Sequence, residues 1–161
     1  MKKQIDFYFD VVSPYSYVAS TLIEDVAQRC NADLLWNPIL LGGIFKAVGT
    51  ANTPGLTPEK KPYMLKDLQR LSRHYGIPLQ MPPDFPVRTV LVMRVLSGLP
   101  PEQIPQAAHT LFNAYWADNL DIANRDVVAS LIGQEAVERA GMHKVKDALF
   151  KNTEEAVKRG A

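Results

Sequence analysis

The chain has 161 residues, enough for one domain with a sizeable buried core, and its 47% hydrophobic and 22% charged residues are ordinary for a globular protein. Eighteen basic against 17 acidic side chains leave a formal net charge of +1, which gives neither nucleic acid nor an anionic membrane an electrostatic hold. The only cysteine is Cys30, so an intramolecular disulfide and a Cys-rich metal site are both excluded.

The basic start, Met1-Lys2-Lys3, runs into a segment carrying Asp6 and Asp10, which interrupts any signal-peptide apolar region. No apolar run approaches the ~20 residues of a spanning helix, and a cytoplasmic, soluble protein is the expectation. Residues 4–12 are aromatic and β-branched and predict a buried strand. That strand stops at Ser13-Pro14, where Ser13 suits an N-cap and Pro14 the first helical position. The helix that follows is expected to run to about Cys30, with Val18, Leu22, Ile23, Val26 and Ala27 on one face.

Ala32 to Leu41 predicts a second strand, which Pro38 places at a sheet edge or bends. Strand, helix, strand favours a parallel pair with a right-handed crossover. Almost everything after Gly42 reads as helix. Ile44 to Val48 make a short turn of it, and residues 50–58 form a loop. Pro58 to Tyr75 predicts a long amphipathic helix with Tyr63, Met64, Leu65, Leu68 and Leu71 on its apolar side. Pro78, Pro82, Pro83 and Pro86 then break the chain before a helix over Arg88–Ser97. Further helices are expected over Pro101–Trp116, over Arg125–Ile132 with Asn124 as cap, and over His143–Arg159.

Ser13-Pro14-Tyr15-Ser16 therefore stands at a strand-to-helix turn, where free N–H groups and the helix dipole favour negative charge. Serines cannot exchange disulfides, which excludes dithiol redox chemistry at this point. A hydroxyl can still donate a hydrogen bond to a thiolate brought by another molecule.

The string Asp6-Phe7-Tyr8-Phe9-Asp10, followed by Ser13-Pro14-Tyr15-Ser16-Tyr17, closely resembles the start of 2-hydroxychromene-2-carboxylate isomerases and kappa-class glutathione transferases. The resemblance continues through Leu41-Gly42-Gly43-Ile44-Phe45-Lys46, through Lys60 with Tyr63-Met64-Leu65-Lys66-Asp67-Leu68, and through Pro82-Pro83-Asp84-Phe85-Pro86. It implies an α/β, thioredoxin-like fold of the DsbA and kappa type. One domain over 1–161 would comprise a βαβ unit over 1–41, a large helical insertion over 42–142 and a helix over 143–161 that returns to the thioredoxin-like part.

The activity implied is a glutathione-dependent cis–trans isomerisation of 2-hydroxychromene-2-carboxylate or a similar aromatic ring-cleavage product. Glutathione is the implied cofactor, a small aromatic carboxylate the substrate, and a homodimer the assembly; no metal, nucleic acid or membrane partner is implied. On the same resemblance Ser13 assists the glutathione thiol, Lys60 and Asn52 hold glutathione, and Tyr15, Phe45, Lys46 and Arg88 meet the substrate. Members of the family follow the last helix with a Val-Pro-Thr-like turn, two strands and another helix. The sequence ends at Arg159-Gly160-Ala161, where that turn is expected, so the resemblance implies that this part is lacking and that the chain in this form binds glutathione poorly.

Plainer roles stand beside these. Ser13 is by default an N-cap, which is compatible with donating to sulfur because a hydroxyl has one donor and two acceptor sites. Lys46, Lys60 and Arg88 are by default solvated, and Tyr15, Tyr17, Phe45 and Trp116 core or pocket wall. Cys30 is expected to be buried or idle, and His74, His109 and His143 lack metal-ligand spacing. A kappa-class-like transferase and a non-catalytic thioredoxin-like binding protein are the alternative functions.

Overall fold

The structure, a computed structural model, describes residues 3–50 and 57–160. Strand β1 (Lys3–Phe9) pairs in parallel with β2 (Ala32–Pro38), in a register running from Lys3 opposite Ala32 to Phe9 opposite Pro38. Among the described residues this is a two-stranded sheet, and β1 has β2 as its one sheet neighbour. Both strands are shorter than expected. Ile39 still donates its N–H to Phe9 O at 3.0 Å, but beyond that the Asp10 carboxyl draws off the next amides, those of Val12 and Leu41.

The connection between the strands is two helices, α1 (Pro14–Ser20) and α2 (Ile23–Arg29), where the sequence predicts one. At the break Ser20 Oγ donates to Tyr17 O at 2.7 Å and Thr21 Oγ1 to Val18 O at 2.8 Å, bonds by which such side chains cap or bend a helix end. Cys30 ends α2 and is exposed, so of the two expectations, buried or idle, the first does not hold. Asn31, at φ 49°, then turns the chain into β2.

Helices α3 (Leu41–Ala47), α4 (Lys61–Tyr75) and α5 (Val90–Ser97) follow, each with bounds that differ from those expected by a few residues at one or both ends. On α4 Leu68 is buried as its spacing predicts, but Tyr63 is 67% exposed and lies off the apolar face. A 3-10 turn (Pro101–Gln103) leads into α6 (Ile104–Trp116). Asn124 caps α7 (Arg125–Ile132) by accepting from the Asp126 and Val127 amides. A short helix, α8 (Gln134–Arg139), was not predicted; Gly133, at φ 107°, sets it off from α7. The last helix, α9 (His143–Arg159), has the predicted bounds.

Helices α5 and α6 supply the centre of the core: Val92, Met93, Val95, Leu96, Ala108, Leu111, Phe112 and Trp116 are fully buried. Against them the sheet presents Phe7, Phe9 and Trp36, with Trp36 standing edge-on to both phenylalanines at 5.0 and 5.3 Å between ring centroids. Helix α9 packs against β2, α3 and α5. Gly43 makes the close approach possible, since a Cβ there would stand 3.2 Å from Thr153 Cγ2.

Candidate active site

The chain leaves β1 through a turn made by Asp10. Its backbone carbonyl accepts the Ser13 N–H at 2.9 Å, and its Oδ1 accepts the Val12 N–H at 3.1 Å, so one residue closes both bonds of the turn. Trp116 Nε1 donates to Val11 O at 2.7 Å and pins the turn to the end of α6. Ser13 emerges with extended backbone as the N-cap of α1, and its Oγ accepts the Ser16 N–H at 3.1 Å. Ser16 thus serves the cap through its backbone N–H. Among the described residues the Ser13 O–H donates to no protein acceptor, so its donor remains available.

Ser13 borders a cleft of about 820 Å³. One wall is the turn and the start of α1, with Val12, Pro14 and Tyr15. A second is the entry to α3, with Leu41, Gly42 and Phe45. The third is the segment before α5, from Phe85 to Val90, whose Phe85–Pro86 peptide is cis, and Met64 of α4 adds to the rim. The lining is mainly aliphatic and aromatic. Among the described residues Arg88 is its basic side chain and Asp10 its acidic one, and no histidine, lysine or cysteine lines it. Ser13 therefore has no base beside it and is not built as a nucleophile.

Asp10 is 2% exposed. Its Oδ2 accepts the Leu41 N–H at 3.0 Å from the second wall, and the Thr89 hydroxyl reaches it from the third. Burial pushes the Asp10 pKa up from the ordinary carboxylate value, against the lowering effect of these hydrogen bonds. Tyr15 donates its hydroxyl to Asp67 Oδ2 at 3.0 Å, linking α1 to α4. Burial first, and then the Asp67 carboxylate, push the phenol up to about 12, so Tyr15 is neutral at physiological pH.

Four of the residues proposed from sequence, Ser13, Tyr15, Phe45 and Arg88, line this one cleft. Two others do not. Lys46 follows Phe45 by one residue, about 100° around the helix, and faces a second cleft of about 830 Å³ between α3, α5 and α9. Lys60 is exposed immediately before α4 and does not line the Ser13 cleft. Asn52 lies outside the described residues. Cys30 contributes to neither cleft. The residue that sequence reading missed is Asp10: an acid at the end of an aromatic strand, two residues before a Val-Ser-Pro turn, was the available signal. Among the described residues no cluster of His, Cys, Asp and Glu is placed to hold a metal ion, and no helix is long and apolar enough to cross a membrane.

Residues 4–161 match the family model described as a DSBA-like thioredoxin domain. Human glutathione S-transferase kappa 1 is 30% identical over 178 aligned positions, which cover 100% of this chain and 78% of that protein. The 2-hydroxychromene-2-carboxylate isomerase of Pseudomonas putida is 32% identical over 117 positions, covering 72% of this chain and 57% of that protein. Among solved structures, a 2-hydroxychromene-2-carboxylate isomerase superposes with a TM-score of 0.79 at 24% identity, covering 98% of this chain and 81% of that one. This last likeness is one of fold.

Proposed function

The chain belongs to the DSBA-like thioredoxin family, with kappa-class glutathione transferases and 2-hydroxychromene-2-carboxylate isomerases as relatives, and on that premise we propose that it is a glutathione-dependent isomerase of a small, unsaturated aromatic-derived acid. The observation that carries the reading is Ser13: a hydroxyl at the edge of an apolar cleft, already accepting from Ser16 and with its own donor free. Bound glutathione supplies a thiolate that adds reversibly to a conjugated carbon, so that a double bond can turn as a single one.

Ser13 is assigned to hold that sulfur as thiolate. A free thiol with a pKa near 8.5 is only about 3% ionised at pH 7, and lowering it by about 2 units requires roughly 2.7 kcal/mol. A hydrogen bond to a charged partner contributes roughly 1.5–3 kcal/mol. With α1 only seven residues long, the hydroxyl carries most of this and the helix end little. Arg88 is assigned to the substrate carboxylate, and Phe45, Met64 and Phe85 to the flat apolar part. Tyr15 forms the wall beside Ser13. Lys60 and Asn52 remain proposed contacts to glutathione.

A transferase reading rests on the human kappa-class relative, whose alignment spans the whole chain. It uses the same Ser13 and differs in keeping the electrophile attached. Calorimetric titration of the full-length protein with glutathione tests the shared claim. Parallel assays of chromene-acid isomerisation and of conjugation to a chlorodinitrobenzene-type electrophile separate the two. Isomerisation outrunning conjugation supports the proposal; conjugation alone favours the transferase; absence of glutathione binding removes both.

A further inference from the structure

We infer that Asp10 is the positioning residue of the cleft, holding the Ser13 hydroxyl in place by tying all three walls to one buried carboxyl; this rests on the reading of Ser13 as the thiol's hydrogen-bond donor. The arrangement is unusual in its economy. The Asp10 carbonyl and Oδ1 close the turn through the Ser13 and Val12 amides, Oδ2 takes the Leu41 amide, and the Thr89 hydroxyl completes the set. Val12, Leu41 and Thr89 all line the cleft, each from a different wall.

A plain structural turn would not require an acid here. The groups that converge on this side chain are two backbone N–H donors and a hydroxyl, and a carboxyl has the acceptor lone pairs to serve all three. Among the described residues no basic side chain forms an ion pair with Asp10, so the hydrogen bonds alone offset the cost of a carboxyl that is 2% exposed. A group kept in so costly a place, between the serine and the segment bearing Arg88, sets their separation. An amide of the same shape would turn an N–H₂ toward one of these donors and loosen one wall.

The test measures the pH dependence of the ultraviolet absorbance of bound glutathione thiolate, with kcat and KM, in the full-length protein, in Asp10→Asn and in Thr89→Val. Asp10→Asn is expected to raise the pKa of the bound thiol by about one unit, which from about 6.5 is roughly a threefold loss of thiolate at pH 7, with a matching fall in kcat. Thr89→Val, which removes only the hydroxyl bond, should shift it in the same direction by a smaller amount. If Asp10→Asn does not fold, Thr89→Val decides alone. Folded variants with the wild-type thiol titration and kcat would overturn the inference, even with lowered thermal stability. Wild-type protein that binds no glutathione would instead overturn the functional reading, and the role of Asp10 with it.

Discussion

Two clefts of nearly equal size border the Leu40–Gly43 segment, both with mainly apolar walls, and they differ in the polar and charged side chains they carry. The one at Ser13 is apolar, with a free hydroxyl donor at its edge, one arginine and one buried carboxyl. The other carries Lys46, Arg94, Lys146 and Lys158 together with Asp147 and Glu154. Its buried polar side chain, Thr153, is already committed, accepting from Leu40 N–H at 3.0 Å and donating to Leu149 O at 2.8 Å. Volume does not separate a reaction site from a groove. What separates them is an uncommitted donor beside buried polar structure in one, and a net-basic set of charged side chains in the other.

The comparison is broken most severely at the first cleft. Ser13→Ala should cost about 1.5–3 kcal/mol of thiolate stabilisation, which raises the bound thiol pKa by about 1–2 units from about 6.5 and lowers kcat/KM at pH 7 roughly 3- to 25-fold. Because the thiol pKa rises, the loss should shrink as pH increases, and a pH–rate profile of the variant checks this. Arg88→Leu should raise KM for a carboxylate substrate about tenfold, corresponding to about 1.4 kcal/mol, while leaving kcat near its original value; steady-state kinetics decide it. An unchanged KM would mean that Arg88 is merely solvated.

At the shared wall, Gly43→Ala sets a helix-propensity gain of about 1 kcal/mol against crowding of Thr153 at 3.2 Å. A net change below about 1 kcal/mol in urea unfolding is expected, since overpacking typically costs about 1–3 kcal/mol. A larger loss would show that the α3–α9 contact does not yield. The smallest effect belongs to the second cleft. Lys46→Ala and Lys146→Ala should leave glutathione affinity and turnover unchanged, and Cys30→Ser, outside both clefts, likewise. A drop in affinity from Lys46→Ala would erase the distinction drawn between the clefts.

Much of this organisation is legible in the sequence because it depends on strong local signals. The aromatic run before Ser13-Pro14 and the apolar run after Ala32 specify the parallel pair, and Asn124 marks the start of α7 unaided. Helix spacing alone could not separate α1 from α2, since the apolar positions run on across the break at Ser20 and Thr21, whose hydroxyls bond back to the chain. Tyr63 has the spacing of a core residue on α4 but stands in solvent, because no element covers that side among the described residues. Phe45 and Lys46 are neighbours in sequence but serve different clefts, a matter of helix rotation that motif matching does not register. Asp10 escaped notice for the opposite reason. Its partners, Leu41 and Thr89, are 31 and 79 residues away, and only the fold brings them to one carboxyl.

The central claim is that the Ser13 hydroxyl holds the glutathione sulfur as a thiolate, and the ultraviolet pH titration of glutathione bound to full-length wild-type protein and to Ser13→Ala tests it most directly. The account predicts a bound thiol pKa well below the free value of about 8.5 in the wild type, and one raised by about 1–2 units in the variant. Bound glutathione that titrates identically in the two proteins would contradict it.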